Sequence, residues 1–543
     1  MAHDYARLVS RAFAVRGIVE GFYGAPWSHD ARRDAITFLA PRGLNAYVYA
    51  PKDDAKHRAA WREPYDDEEL DHFRALAAHA ERNDVQFGFA ISPGLDMAYG
   101  ADHERDSLYE KLSPLVDAGV PWFLLLVDDI AMRPGLAAEH ADLATWLWAR
   151  LRTARADVEM AICPTEYVGT RPSPYLAVLG EALPAEVDVM WTGPTVCSPA
   201  INADDALAWV DALGDHRVLL WDNYPVNDAP MANSLHLGPY RGRDAKLVDV
   251  IAGVLCNPMT QPHASLLALS TAMEFLAAPD DYDEAAAWKR AIDDVGGDRA
   301  QPLAVLARAC ADSALAEPSE LDLVALVGEL EEEIDGPGWM SAVEKVASEL
   351  RAARSLPDAF PGDGDPLGDE LAPWASAARR EAEAGLAALR LIQRARPIAQ
   401  IDAGGHGRVV PVDAENAMQT AFLVLFVWQA ARADEKVVYG PRFAMYASVV
   451  QLPDGRPAID VSLALREDAN AIDRLCRLAL EAYDAWRAEA DAELKVFVDG
   501  ERRVADDKGS FDGRGRVALV RAGSAVTRIR PGHSLPFNDS RLT

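Results

Sequence analysis

The sequence has little cysteine, few basic residues relative to acidic ones, and no long apolar run. Only five of its 543 residues are cysteine, and they stand far apart with no CxxC pair, which argues against a disulfide framework or a zinc ribbon. Lys plus Arg number 54 against 85 Asp plus Glu, a net charge of −31. This charge disfavours nucleic acid and anionic membranes as partners, because both require clustered basic surface. No run approaches the about 20 apolar residues that a membrane span requires.

Phosphate-binding, metal-binding and targeting signals are also missing. There is no Walker-type run and no GxGxxG after the first candidate strand. No histidine joins the acidic pair Asp128-Asp129 at ligand spacing, since His29, His57 and His236 lie apart, so we expect surface or packing roles for them, with no metal and no cofactor. The stretch Met1–Arg7 is too polar for a signal peptide, and we expect a cytoplasmic protein with reduced thiols. The sequence leaves the oligomeric state open.

Short apolar runs alternate with longer amphipathic segments from Val15 to about Asn257. Eight such strand-then-helix units favour an α/β fold of the (β/α)8 TIM barrel type, with a doubly wound sheet as the competing interpretation. The eight candidate strands are Val15–Tyr23, Leu44–Ala50, Val85–Ile91, Trp122–Val127, Val158–Ile162, Val187–Trp191, Val218–Trp221 and Val248–Leu255.

Two adjacent acids, Asp128 and Asp129, follow the apolar run Trp122–Val127. Burying an unpaired carboxylate costs several kcal/mol, so we predict that the strand surfaces and ends at this point. The residues alone allow a solvated loop or helix N-terminus, an acid–base catalytic site at a strand end, or a divalent-metal site.

Polar, aromatic, Gly and Pro residues follow every candidate strand. Turns explain the Gly and Pro residues taken singly. Trp and Tyr beside hydrogen-bonding groups suit a sugar, whose C–H faces stack on rings while its hydroxyls need fixed partners. We therefore expect one rim that binds a carbohydrate.

Several of these segments resemble glycoside hydrolase family 84, the β-N-acetylglucosaminidases that include O-GlcNAcases and hyaluronidase-like proteins. The resemblance covers residues 15–280. It implies a (β/α)8 barrel that removes terminal β-linked N-acetylglucosamine with retention, using the 2-acetamido oxygen of the substrate as nucleophile and passing through an oxazoline. The motifs, in order, are Gly17–Gly24, Tyr49–Asp54, Ile91–Asp96, Val127–Ile130, Cys163–Tyr167, Trp191–Pro194, Trp221–Asn223 and Leu237–Tyr240.

The resemblance implies different roles for the two acids. Asp128 would orient the acetamido N–H, and Asp129 would be the general acid and then the general base. Substrate-assisted families are exceptions to the scheme of two carboxylates on opposite sides of the bond. Successive side chains of a regular strand point to opposite faces, so both acids can face one pocket only if the strand ends there.

The resemblance also implies substrate contacts. Tyr167 would donate to the acetamido or oxazoline oxygen, and Cys163 and Trp221 would line a pocket for the acetyl methyl group. Contacts to ring hydroxyls and the acetamido group would come from Gly21 (through its backbone), Lys52, Asn223, Asp228 and Asn257.

Some of these residues also have plain structural interpretations. Lys52 could form a salt bridge with Asp53 or Asp54, and Asp228 could cap a helix. Tyr23, Trp27 and Tyr47 are expected to pack and not to contact the ligand.

The chain is predicted to divide into three parts: a catalytic barrel at residues 1–280, a helical domain at 281–400 and a smaller α+β region at 401–543. Helical periodicity covers Glu284–Val295, Gln301–Ala316, Leu321–Glu333, Gly338–Arg354, Ala372–Ala395, Asp413–Ala433 and Asp468–Ala490, while Leu356–Pro366 is predicted as a linker or loop. Val437–Leu465, broken at Pro453–Gly455, is predicted as a β-hairpin, and Leu494–Arg530 contains further short strands.

The function predicted from these residues is an exo-acting β-N-acetylglucosaminidase whose partner is a glycan or glycoconjugate containing N-acetylglucosamine. One alternative is an endo-acting hyaluronidase, against which the net charge of −31 argues. Another is a catalytically silent sugar-binding protein, since function belongs to sites and not to folds.

Overall fold

The computed structural model describes residues 11–171, 173–311, 315, 323–336, 338–396, 398–401, 406–410, 412–440, 443–451, 457–465, 470–488, 494–498, 501–503, 510–512, 517–521 and 524–529. These residues form two compact units. The first holds the described residues up to Gln301 and those between 443 and 464, and the second holds most of the rest.

Eight parallel strands close into a barrel in the first unit. The last strand pairs with the first, with Gly253 opposite Val15, so the sheet has no open edge. This closure confirms the (β/α)8 prediction and excludes the doubly wound sheet. The strands are β1 (Val15–Glu20), β2 (Ala46–Tyr49), β3 (Gln86–Ile91), β4 (Trp122–Leu126), β5 (Glu159–Cys163), β6 (Val187–Trp191), β7 (Val218–Asp222) and β8 (Gly253–Cys256).

Several strands are shorter than predicted, and in two of them one end moves by three residues or more. β1 ends at Glu20 and not at Tyr23, because the chain turns and the Gly21 N–H donates to the Val19 carbonyl. β8 begins at Gly253 and not at Val248, because Ala245–Asp249 forms a 3-10 helix whose first turn is capped by Asp244. The apolar pattern of that segment reflects packing of a short helix.

An α-helix follows every barrel strand except β7, after which the described residues form only short 3-10 helices, and the helices cover the outside of the barrel. Side-chain caps begin several of them: Ser28 accepts from the Ala31 N–H, and Asp66 forms a capping box with Glu69. Among them, α8 is tied to the first unit by a hydrogen bond from Trp288 Nε1 to the Leu237 carbonyl. The helices are α1 (His29–Leu39), α2 (Asp67–Arg82), α3 (Asp102–Asp117), α4 (Leu136–Ala154), α5 (Pro174–Ala182), α6 (Ala203–Leu213), α7 (Pro262–Ala277) and α8 (Glu284–Gly296).

The apolar side chains of β4 alternate between two layers. Phe123, Leu125 and Val127 belong to the cluster packed between the strands and the helices. Trp122, Leu124 and Leu126 belong to a second cluster, which fills the barrel interior with residues from the other strands. Continuing this alternation takes the residue after Val127 toward the barrel axis. Asp128 therefore starts in the direction of the interior.

The second unit is mainly helical. Its long helix begins at Pro366, earlier than the predicted Ala372, because Asp365 caps the Gly368 N–H and proline fits the first turn. The predicted loop Leu356–Pro366 contains one short helical turn. The helices are α9 (Ala300–Ala309), α10 (Leu323–Glu333), α11 (Trp339–Arg354), α12 (Leu356–Ala359), α13 (Pro366–Arg394), α14 (Ala414–Arg432) and α15 (Ala471–Ala488).

Short strands complete the described chain. Two of them, β11 (Phe443–Gln451) and β12 (Pro457–Leu465), pair in a two-stranded sheet, and the predicted turn Pro453–Gly455 between them lies outside the described residues. The three-part division at residues 280 and 400 stays a prediction. The other strands are β9 (Ile398–Ile401), β10 (His406–Val410), β13 (Leu494–Val498), β14 (Glu501–Arg503), β15 (Ser510–Asp512), β16 (Val517–Arg521) and β17 (Ser524–Ile529). Within the ranges that the structure describes, no helix combines the length and apolarity needed to cross a bilayer.

Candidate active site

A cavity of about 950 Å³ opens at the carboxyl ends of the barrel strands. Its volume is near the upper end of the range for small-molecule sites. The carboxyl ends of six strands (β1, β2, β4, β5, β7 and β8) and the loops after them contribute the residues singled out in the sequence, and all ten line this one cavity: Gly21, Lys52, Asp128, Asp129, Cys163, Tyr167, Trp221, Asn223, Asp228 and Asn257. The remaining expectation, that each contacts a ligand, stays a prediction.

Asp128 lies at the inner wall of the cavity and is buried. Its Oδ2 atom accepts a hydrogen bond from Lys52 Nζ, and both side chains are almost fully enclosed. The alternative pairing of Lys52 with Asp53 or Asp54 is therefore wrong: Asp53 accepts from the Gly24 N–H, and Asp54 accepts from Tyr49 and Tyr65. Burial raises the pKa of Asp128, and the charge of Asp129 adds to this effect, while Lys52 opposes it.

Asp129 follows the end of β4 and adopts a left-handed backbone conformation with φ +53°. This conformation is uncommon outside glycine but is tolerated by Asp. It reverses the strand alternation and points the second carboxylate into the same cavity, as the predicted strand end requires. Its Oδ2 atom accepts from Tyr23 Oη at 2.8 Å and its Oδ1 atom from Tyr167 Oη at 2.9 Å.

The surroundings of Asp129 favour its ionised form. Burial by itself raises the pKa of Asp129, but the charge of Lys52 and the hydrogen bonds from Tyr23 and Tyr167 outweigh it and lower the pKa below its usual value. The two neighbouring acids therefore shift in opposite directions.

Trp221 forms one wall of the cavity, packed directly against the backbone of Gly21. A Cβ atom at position 21 would lie 2.1 Å from Trp221 Cζ2, so only glycine fits. Asn223 Oδ1 accepts from Trp221 Nε1 and from Asn257 Nδ2, each at 3.0 Å. Asn257 Oδ1 in turn accepts from the Gly21 N–H at 3.2 Å. This network holds the ends of β1, β7 and β8 together.

Asp228 and Cys163 complete the wall. The Asp228 side chain accepts from the Tyr23 N–H at 2.8 Å. It makes no capping bond to the short helix that follows it, so the capping interpretation is wrong. Burial raises the pKa of Asp228. Cys163 is buried at the end of β5, and burial raises the pKa of its thiol, so it is a protonated apolar wall residue.

Sequence reasoning missed two residues of the site. Tyr23 was expected to pack, but it lines the cavity and bonds Asp129. Arg58, in the segment after β2, donates from Nη1 to Tyr23 Oη at 2.8 Å. A tyrosine directly after the run Glu20–Phe22 was visible in the sequence, but nothing in the chain order linked it to Arg58. Trp27 and Tyr47 are buried and donate to Glu20 through Trp27 N and Tyr47 Oη.

Two of the three histidines singled out in the sequence, His29 and His236, make contacts that do not involve the acid pair. His29 stacks on His72, and His236 is buried with Nδ1 facing backbone carbonyls. In the part of the chain that the structure describes, no cluster of three His, Cys, Asp or Glu side chains is arranged to hold a metal ion.

Residues 16–308 match the family model of the beta-N-acetylglucosaminidases. The chain belongs to this family. The match covers the barrel and α8, which confirms the resemblance read from the sequence.

Individual members of the beta-N-acetylglucosaminidase family agree with this assignment. Protein O-GlcNAcase of Rattus norvegicus and that of Mus musculus are each 36% identical to the chain in a match of 268 residues that covers 47% of the chain. The match spans 29% of the length of these two relatives.

Solved structures extend the likeness beyond the barrel. A variant of the O-GlcNAc hydrolase of Thermobaculum terrenum has a TM-score of 0.73 at 27% identity, covering 88% of this chain and 97% of its own. The protein CpGH84B has a TM-score of 0.69 at 26% identity, covering 79% of this chain and 75% of its own.

Proposed function

We propose that the protein is a retaining β-N-acetylglucosaminidase that acts on terminal β-linked N-acetylglucosamine and uses the acetamido oxygen of its substrate as the nucleophile. The observation that carries this proposal is the state of Asp128. Its Oδ2 atom is held by Lys52, while its buried Oδ1 atom has no hydrogen-bond partner among the described residues. An unsatisfied buried acceptor costs about 1–3 kcal/mol, so it suits a donor that arrives with the substrate.

An acetamido N–H supplies such a donor. When it bonds Asp128 Oδ1, the acetamido carbonyl turns toward the anomeric carbon and can attack it from within the same sugar. An intramolecular attack of this kind gains a large effective concentration. Cys163 and Trp221 are suited to enclose the acetyl methyl group, because both are apolar and buried at the cavity wall.

Asp129 supplies the proton transfers in this proposal. As the anomeric C–O bond breaks, Asp129 gives its proton to the leaving oxygen, and it later takes a proton from the water that opens the oxazoline. The lowered pKa of the free site suits the base, not the acid. Substrate binding resolves this difficulty: if Tyr167 turns from Asp129 to the acetamido oxygen, Asp129 loses one of the bonds that stabilise its anion, and its pKa rises.

The remaining cavity polar groups are proposed to hold the sugar. Lys52, Asn223, Asp228, Asn257 and the backbone of Gly21 surround the space beside the acid pair and suit ring hydroxyls. The five cysteines are unpaired, which supports a reducing, cytoplasmic setting.

The first test compares substrates with and without the acetamido group. We expect a chromogenic aryl N-acetyl-β-glucosaminide to be hydrolysed, and the matching aryl β-glucoside to react slower by orders of magnitude because it lacks the nucleophile. Equal rates on the two substrates would overturn the substrate-assisted step, and no hydrolysis of either would favour a silent sugar-binding protein.

Asp129→Asn tests the acid. We expect turnover of substrates with poor leaving groups to fall by about 10²–10⁴-fold, the usual contribution of a general acid–base group. Affinity for an oxazoline-like inhibitor should stay within about tenfold, or 1.4 kcal/mol, because asparagine keeps the shape of the pocket. Wild-type turnover by the variant would assign the acid to another residue.

A further inference from the structure

The segment Lys52–Arg58 contains one basic side chain connected to Asp128 and another connected to Asp129. Lys52, three residues after the end of β2, donates to Asp128. Six residues later, Arg58 Nη1 donates to Tyr23 Oη at 2.8 Å, and Tyr23 Oη donates to Asp129 Oδ2 at 2.8 Å. The guanidinium also lies 5.4 Å from the centre of the Tyr23 ring. Arg58 is thus connected to the second acid through a single phenol.

The loop that carries Tyr23 is fixed at its backbone on both sides. The Tyr23 N–H donates to Asp228 Oδ2 at 2.8 Å, and the Gly24 N–H donates to Asp53 Oδ2 at 2.9 Å. Gly24 has φ +126°, a conformation that favours glycine. Because the backbone of Tyr23 is held in place, the hydrogen bonds of its hydroxyl group determine how the side chain is oriented.

The chemistry of the donor sets the direction of the hydrogen bonds. A guanidinium can only donate, so the hydroxyl oxygen of Tyr23 must accept from Arg58. A phenol has one proton, and with its oxygen facing Arg58 that proton points to Asp129 Oδ2. Tyr23 is therefore held as a donor to one specific oxygen of Asp129.

We propose that Arg58 is a positioning residue of the acid–base step: through Tyr23 it keeps Asp129 Oδ2 as a hydrogen-bond acceptor and leaves Oδ1 as the atom that carries the transferred proton. The proposal rests on the function proposed above. When Tyr167 leaves Oδ1 for the substrate, Oδ1 becomes free to hold the proton. The proton then passes from Oδ1 to the glycosidic oxygen as the anomeric C–O bond breaks, and in the second step Oδ1 accepts a proton from the attacking water.

Several charged or titratable groups face Asp129, and Arg58 is the one among them that is not itself part of the cavity wall. Both the Arg58 charge and the Tyr23 hydrogen bond lower the pKa of Asp129. Removing Arg58 should therefore raise that pKa. The other groups around Asp129 are Lys52, Asp128, Tyr23, Cys163, Tyr167 and Asp228.

The test compares Arg58→Gln with Arg62→Gln in the full chain. Arg62 is a matched control from the same segment, since it pairs with Asp96 and Glu104 away from Tyr23. For Arg58→Gln we expect kcat/KM on a poor leaving group to fall by about tenfold, while kcat/KM on a strongly activated aryl substrate, which needs no acid, stays within about twofold. The basic limb of the kcat/KM profile should move up by about half to one pH unit, because protonated Asp129 persists to higher pH.

Tyr23→Phe and the double variant test the connection itself. Tyr23→Phe removes one oxygen atom and should reproduce the leaving-group dependence and the pH displacement. Adding Arg58→Gln to it should change little more, because the two residues act as one chain. Arg58→Lys keeps the charge and a donor, and should restore the basic limb toward wild type.

Two outcomes would overturn the proposal. In the first, wild type hydrolyses the aryl N-acetylglucosaminide, but Arg58→Gln behaves like Arg62→Gln, or the fold-losses of Arg58→Gln and Tyr23→Phe multiply in the double variant. Either result would leave the proposed function standing and would rule out the positioning role of Arg58. In the second, wild type hydrolyses no N-acetylglucosaminide, and the proposed function falls together with the positioning role.

Discussion

At the scale of single residues, Asp128 and Asp129 have the same side chain, but their pKa values shift in opposite directions because their neighbours differ. Asp128 continues the inward alternation of β4, where burial raises its pKa and Lys52 partly compensates. Asp129 turns out of the strand at φ +53° and meets two phenol donors. Pairs of carboxylates whose environments push their pKa values apart are typical of a division between acid–base and electrostatic roles.

The Lys52→Gln variant tests this division of roles through the pH dependence of kcat/KM. The charge of Lys52 lowers the pKa of Asp128, so its loss should raise that pKa further. If ionised Asp128 must receive the acetamido N–H, the acidic limb of the kcat/KM profile moves to higher pH, and kcat/KM at the optimum falls by about 10²-fold.

Lys56→Gln is the matched control for Lys52→Gln. Lys56 lies on the same segment, but it pairs with Glu69. We expect its pH profile to match that of wild type. An acidic limb that stays in place in Lys52→Gln would mean that Asp128 is not the group titrating there.

At the scale of elements, acids at two other strand ends serve the fold. Glu20, at the end of β1, is fully buried and bonded by Arg32 of α1, by Tyr47 and by the Trp27 N–H. Asp222, at the end of β7, is likewise bonded by Arg243 and Tyr240. Each pair fixes a strand end that carries cavity residues.

Breaking the Glu20–Arg32 pair should destabilise the barrel strongly. Arg32→Met leaves a buried carboxylate without its counter-charge, and we expect the free energy of unfolding to fall by about 3–5 kcal/mol in urea titrations followed by circular dichroism.

The next residue supplies the control for Arg32→Met. Arg33 lies on the same helix and makes an exposed pair with Asp30, so Arg33→Met should change stability by about 0.5 kcal/mol or less. Similar losses for the two variants would show that the buried pair has no special role.

At the scale of the whole molecule, the net charge of −31 bears on the substrate. A surplus of negative charge repels a polyanion over distances of about 10 Å at 0.1 M salt, and added salt screens that repulsion. A neutral glycoside is not affected. The charge therefore favours the β-N-acetylglucosaminidase proposal over the hyaluronidase alternative.

The salt dependence of hydrolysis tests this effect of the net charge. Between about 20 and about 200 mM salt, we expect kcat/KM on a neutral aryl N-acetylglucosaminide to change by less than about twofold. Any release of reducing ends from hyaluronan should be slower at low salt and rise as salt is added. Faster cleavage of hyaluronan than of the neutral substrate would favour the endo-acting alternative.

The sequence alone determined the barrel and the membership of its rim. Apolar runs of strand length recurring between amphipathic helices predict eight parallel strands, and the carboxyl ends of such strands meet at one edge. All ten candidate residues consequently line one cavity. The family resemblance singled these residues out, and the strand pattern placed them at the strand ends or in the loops that follow.

Only the tertiary structure decided which charges meet. Lys52 bonds Asp128 and not its neighbours Asp53 or Asp54, Asp228 bonds the Tyr23 backbone and caps no helix, and Arg58 reaches Asp129 through Tyr23. These partners are far apart in the chain and are brought together by barrel closure. The pairing of side chains depends on their positions in space, which hydrophobic periodicity along the chain does not encode.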